Sequence, residues 1–117
     1  VRPCETLAEA VISTTDPDIF DAAEGAAWTQ LRGAARLARL GCDAYAYAMV
    51  AAGRMDLVAE TSLKPWDWSA LVPVIEAAGG RALAGRGATP DDDGRILAVG
   101  DPRLIAQALP LLEPAAV

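Results

Sequence analysis

Glu60 and Asp67 have only six residues between them, one closing a candidate strand and the other opening a candidate helix. That spacing can turn both carboxylates towards one cleft. A carboxylate at a helix N-terminus sits among unpaired N–H groups at the positive end of the dipole, which keeps it ionised and suits a hard cation such as magnesium. The same placement describes an ordinary N-cap for Asp67, worth about 1 kcal/mol, and a solvated surface residue for Glu60. Asp43 carries a similar pair of readings, a cap for the apolar run behind it or a carboxylate presented to a substrate beside the flexible Gly41. The first N–H groups of that helix would suit an anion such as phosphate. With no histidine in the chain, the commonest general base and transition-metal ligand is missing, so chemistry must rest on carboxylates.

Other candidates are weaker. Asp91, Asp92, Asp93 and Gly94 resemble a calcium loop only superficially, since the alternating ligands and the terminal bidentate glutamate are absent; a solvated hairpin turn is the expectation. Cys4 and Cys42 lie far apart without a CxxC spacing, which indicates neither a zinc site nor a disulfide framework and favours a reduced, cytoplasmic setting. Trp28, Trp66 and Trp68 supply bulk, and the last two flank Asp67, where they either shield it from water or belong to the core.

These groups need a scaffold, and 117 residues suffice for one core and not two. Residues 1–117 are therefore read as a single domain. Hydrophobic residues make up 53% and charged residues 22%, a composition that folds, and the scattered charges interrupt any run long enough to span a bilayer. A net charge of −6 repels a phosphate backbone, so neither a membrane nor nucleic acid is an expected partner. The first ten residues lack the features of a secretion signal and the chain does not begin with Met, which leads us to expect a start inside a longer protein.

Along the chain, Ala10 to Thr14 is short, β-branched and followed by TDPD, a strand ending in a turn. From Asp21 towards Leu40, Ala23, Ala27, Leu31, Ala34, Ala35 and Ala38 recur at helical spacing, with a short strand expected at the end. AYAYAMVAA reads as a helix stopped by Gly53, and buried because it is apolar all round. MDLVAE is a strand candidate, and DWSALVPVIEAAGG a helix in which Pro73 predicts a kink or an irregular first turn. Arg81 to Ala84 and Arg95 to Val99 read as strands around the turn-rich GRGATPDDDG, and Pro102 to Leu112 as a closing helix. Such alternation predicts an α/β layered sandwich of a largely parallel or mixed sheet flanked by helices.

The stretch LKPWDWSALVPVIEAAGG, residues 63 to 80, resembles the second signature of the inositol monophosphatase superfamily, a Trp-Asp pair before a helix ending in Ala-Gly-Gly. Ahead of it, GCDAYAYAMVAAGRMDLVAE is similar to the family's glycine-led helix, its Ala-Gly-Arg turn and the strand that ends in a substrate-facing glutamate. The particular wording of both, with the early STTDPDIF, looks most like the histidinol-phosphatase branch. The resemblance covers nearly the whole chain and implies the carboxy-terminal domain of the sugar-phosphatase fold.

Residue by residue, the resemblance implies that Asp67 is a magnesium ligand and thereby catalytic, and that Glu60 contacts the alcohol part of a small phosphorylated substrate. It implies that Gly41, Cys42 and Asp43 lie against that substrate, Cys42 standing where relatives often carry a hydroxyl residue. It also implies Mg2+ as cofactor, a homodimer, and hydrolysis of a phosphate monoester, with L-histidinol phosphate first and inositol or related sugar phosphates next. The family's first signature, Asp-Pro-Ile/Leu-Asp-Gly-Thr, and its upstream metal-binding glutamate are not in this sequence. Most metal ligands are therefore expected from a separate amino-terminal half, without which this stretch should be inactive. A non-catalytic association module is the competing expectation.

Overall fold

A computed structural model of the chain describes residues 1–41, 44–61, 69–84 and 96–112. The strands are β1 (Val11–Thr14), β2 (Leu37–Leu40), β3 (Leu57–Glu60), β4 (Arg81–Ala84) and β5 (Ile96–Val99). Between and after them run helices α1 (Ala22–Ala34), α2 (Ala44–Ala51), α3 (Leu71–Ala77) and α4 (Ile105–Leu112). The strands form one mixed sheet in the order β2-β1-β3-β5-β4. β1 is parallel to both β2 and β3, and β5 is antiparallel to both β3 and β4.

Strand burial follows position in that order. β1, β3 and β5 are buried along their whole lengths, which is why they read as continuous apolar runs. Side chains alternate between the two faces. On one face Ile12, Leu57, Leu97 and Val99 pack with Trp28 and Leu31 of α1 and Ala108 of α4. On the other, Val11, Val58, Ile96 and Ala98 pack with Tyr47 and Val50 of α2 and Ile75 of α3. The outcome is the expected three-layer sandwich. Its handedness has a cause: β1 to β2 steps one way across the sheet and β2 to β3 steps back past β1, so right-handed crossovers require α1 and α2 on opposite faces.

Local chemistry sets the helix ends. Asp21 and Glu24 make a capping box at the start of α1, each side chain accepting the other's backbone N–H at 2.8 and 2.9 Å. Gly80 ends the stretch after α3 because a Cβ there would collide with the Val99 carbonyl and crowd Ile75. One expectation is corrected. α2 is not buried all round, for Tyr45 is 68% exposed while Ala46, Tyr47 and Val50 face the core; small and aromatic side chains are tolerated on a wet face, so apolar character alone does not report burial. α3 begins at Leu71 with Ala70 in the N-cap position and no side-chain bond, and the expected helix start at Asp67 lies outside the described residues. Pro73 lies in the first turn, where its missing N–H has no helical acceptor to lose.

Candidate functional site

The carboxyl ends of β2, β1 and β3 lie side by side at one edge of the sheet. In open α/β sheets that edge holds ligands, at the point where the chain reverses its direction across the sheet. Here the reversal falls at β1, whose connections lead out to β2 on one side and whose other neighbour is β3. Thr14 pairs with Leu40 and Ser13 with Val58. Carrying both registers just past the strands sets Gly41, Thr15 and Glu60 in one row, its ends two strand spacings, about 10 Å, apart.

Hydrogen bonds tie that row together. The Gly41 N–H donates to the carbonyls of Thr15 at 2.9 Å and Thr14 at 3.3 Å, while the Thr15 hydroxyl donates to Glu60 Oε1 at 2.6 Å. Gly41 has φ of 82°, a left-handed conformation that a side chain would strain. Glu60 is only 6% exposed, so the short bond from Thr15 lies within the fold. Beside it, the Thr61 hydroxyl donates to Glu24 Oε2 at 2.7 Å, so the capping box of α1 is anchored to the end of β3. The Thr14 hydroxyl is buried with no hydrogen-bond partner among the described residues.

Of the residues singled out in the sequence, Gly41 and Glu60 thus meet at this edge, and Cys42, Asp43 and Asp67 lie outside the described residues, as does the Asp91–Gly94 turn. Sequence reasoning did not identify Thr15 or the Thr61–Glu24 pair. The available signal was the run of threonines in STTDPDIF, which places hydroxyls at the end of a parallel strand.

The opposite edge is chemically different. A cavity of about 320 Å³ lined by Arg2, Pro3, Cys4, Glu9, Arg36 and Asp56 opens there. Asp56, 1% exposed, is already engaged by the Arg2 guanidinium at 2.8 and 2.6 Å and by the Val11 N–H at 2.8 Å. Burial pushes the Cys4 thiol above its ordinary pKa, with the Asp56 charge adding to the shift, so it stays protonated and unreactive. Cys4 is a free thiol. No helix among the described residues is long and apolar enough to cross a membrane.

A three-layer sandwich with a carboxylate and a left-handed glycine at the carboxyl ends of its parallel strands is one of the architectures that bind phosphorylated small molecules. The model of the inositol monophosphatase family matches residues 4–115, and the chain belongs to that family. It is 47% identical over 79 residues to the bifunctional phosphatase IMPL2, chloroplastic, of Arabidopsis thaliana, a match covering 68% of this chain and 23% of that protein. It is 33% identical over 93 residues to the histidinol-phosphatase of Chlorobaculum parvum, covering 80% of this chain and 36% of the relative. The solved inositol monophosphatase from Zymomonas mobilis superposes with a TM-score of 0.92 at 35% identity, over 96% of this chain and 45% of that one. The chain therefore spans less than half the length of each of these relatives.

Proposed function

We propose that this chain is the carboxy-terminal half of a cytoplasmic phosphomonoesterase acting on L-histidinol phosphate, with Glu60 and Gly41 holding the substrate and Asp67 binding magnesium. The observation that carries the reading is the row Gly41–Thr15–Glu60 at the ligand-binding edge of the sheet, in a chain whose relatives include a histidinol-phosphatase. A buried, hydrogen-bonded carboxylate there favours a cationic leaving alcohol, and histidinol carries an amine and an imidazole where inositol carries neither charge. Asp43, next to this row in sequence, would add to that preference, and the backbone around Gly41 and Cys42 would receive the neutral parts of the substrate.

Among the described residues no three acidic or thiol side chains gather where a metal ion would fit. The described part of the chain does not build a magnesium site, and Asp67 would need further carboxylates from an amino-terminal half. Bound magnesium would neutralise the phosphate and lower the pKa of a coordinated water. The residues of this chain would bind and orient the alcohol portion. Inositol 1-phosphate is the second substrate reading, favoured by the close superposition on the Zymomonas mobilis structure.

The test is phosphate release with magnesium from L-histidinol phosphate and from inositol 1-phosphate, by this chain alone and by the protein extended to the length of its relatives. Activity is expected only in the longer form, greater on histidinol phosphate, and lost by at least about a hundredfold in Asp67→Asn, as for removal of one stabilising group from a transition state. No phosphate release by either form would defeat the assignment and leave an association module.

A further inference from the structure

Resting on the phosphatase reading above, we infer that Thr15 is a positioning residue that sets the distance and orientation between the two substrate-facing groups, Gly41 and Glu60. It makes two bonds in opposite directions across the strand ends. Its carbonyl accepts the Gly41 N–H at 2.9 Å, and its hydroxyl donates to Glu60 Oε1 at 2.6 Å. A β-branched side chain has few rotamers, so the hydroxyl has little freedom to swing away. Glu60, a long and rotamer-rich side chain, is thereby held in one orientation before any ligand arrives, and a pre-ordered group binds without the entropic cost of ordering it.

Position strengthens the inference. Thr15 directly follows β1 and lies between the ends of β2 and β3, where the connectivity reverses, and Thr61, just past β3, makes a similar bond to Glu24. Both hydroxyls donate to carboxylates at the same edge, which restricts the orientations those side chains adopt. Thr15 touches neither phosphate nor metal in this scheme and acts entirely through Glu60 and Gly41.

In the full-length phosphatase, Thr15→Val keeps the β-branched shape and removes the hydroxyl, whereas Thr15→Ser keeps the hydroxyl. Thr15→Val is expected to raise KM for L-histidinol phosphate about tenfold, the size of one hydrogen bond to a charged group, with kcat changed less than about twofold, since a group that binds the substrate and its transition state alike moves KM alone. Thr15→Ser is expected to restore most of the affinity. On a Glu60→Gln background the Thr15→Val change should lose most of its effect, because residues acting as one unit are not additive. An active wild-type enzyme whose KM is unmoved by Thr15→Val, or a Val effect that persists undiminished on Glu60→Gln, overturns the positioning role while leaving the phosphatase reading intact. A full-length wild type that releases no phosphate sinks both.

Discussion

Among the described residues, Asp56 and Glu60 are buried acids at opposite edges of the sheet. Asp56 takes its bonds from Arg2 and from the Val11 N–H, at the starting ends of β1 and β3, and so joins the first residues of the chain to the sheet. Glu60 takes its bond from a side-chain hydroxyl at the finishing ends of the same strands, where ligands approach. Removing Asp56 leaves a buried N–H unsatisfied and a half-exposed guanidinium without its partner. Asp56→Ala should therefore lower unfolding stability by about 3 kcal/mol, read as a fall in the urea midpoint at neutral pH. Asp56→Asn, which still accepts a bond, should cost visibly less. Equal losses for the two substitutions would mean that the negative charge facing Arg2, and neither volume nor hydrogen-bond acceptance, is what Asp56 contributes.

At the scale of elements, the sheet is asymmetric. β1, β3 and β5 are covered on both faces, while the edge strand β2 leaves Leu37 and Leu40 about half exposed, at 48% and 47%. The same residue type consequently has two values. Leu31→Ala, in the fully buried face of α1, should cost about 3 kcal/mol through lost transfer energy and a residual cavity, whereas Leu37→Ala should stay within about 0.5 kcal/mol. Thermal or urea unfolding of both variants checks this, and comparable losses would show that β2 is covered in solution. The sequence made these elements legible where a single period or stop signal governed them. The strand ending at Thr14, the helix stopped before Gly53, the strand ending at Glu60 and the Ala-Gly-Gly terminus were all read correctly to within a residue or two. What was not legible depended on pairing: that Tyr45 faces outward, that β2 is an edge, and that Thr15 meets Glu60, forty-five positions along the chain. A threonine at a strand end becomes a site residue only when the register of two distant strands is known. The resemblance to the family is what singled out Gly41 and Glu60 as candidates, and physical spacing alone left both open.

Across the whole molecule, the first residues form a strap over the edge opposite the proposed site. Arg2 binds Asp56, the Cys4 N–H donates to Asp101 at 2.8 Å, and Gln107 of α4 donates to the Glu5 carbonyl at 2.7 Å while accepting the Leu7 N–H. The strap thus joins β3, the turn after β5 and α4, elements that belong to both core faces. Its acid-sensitive point is Asp101. Hydrogen bonds from the Arg103 side chain, then from the Cys4 and Arg103 N–H groups, outweigh the effect of burial and hold the Asp101 carboxyl well below the usual carboxylate range. A group whose folded pKa is depressed binds fewer protons folded than unfolded, so stability rises with pH across the window between the two values. The contribution is whole above about pH 4, the ordinary pKa of an aspartate, and is lost progressively as pH falls below it. The urea midpoint of the wild type should therefore drop between about pH 4 and pH 2.5 more steeply than that of Asp101→Asn, which cannot titrate there. Above pH 5 the two curves should run parallel, with the variant lower because an amide accepts weaker bonds from Arg103 than a carboxylate does. If the two proteins lost stability with the same slope in acid, the strap would be held by packing around Cys4 and Leu7, and the charge on Asp101 would be incidental to it.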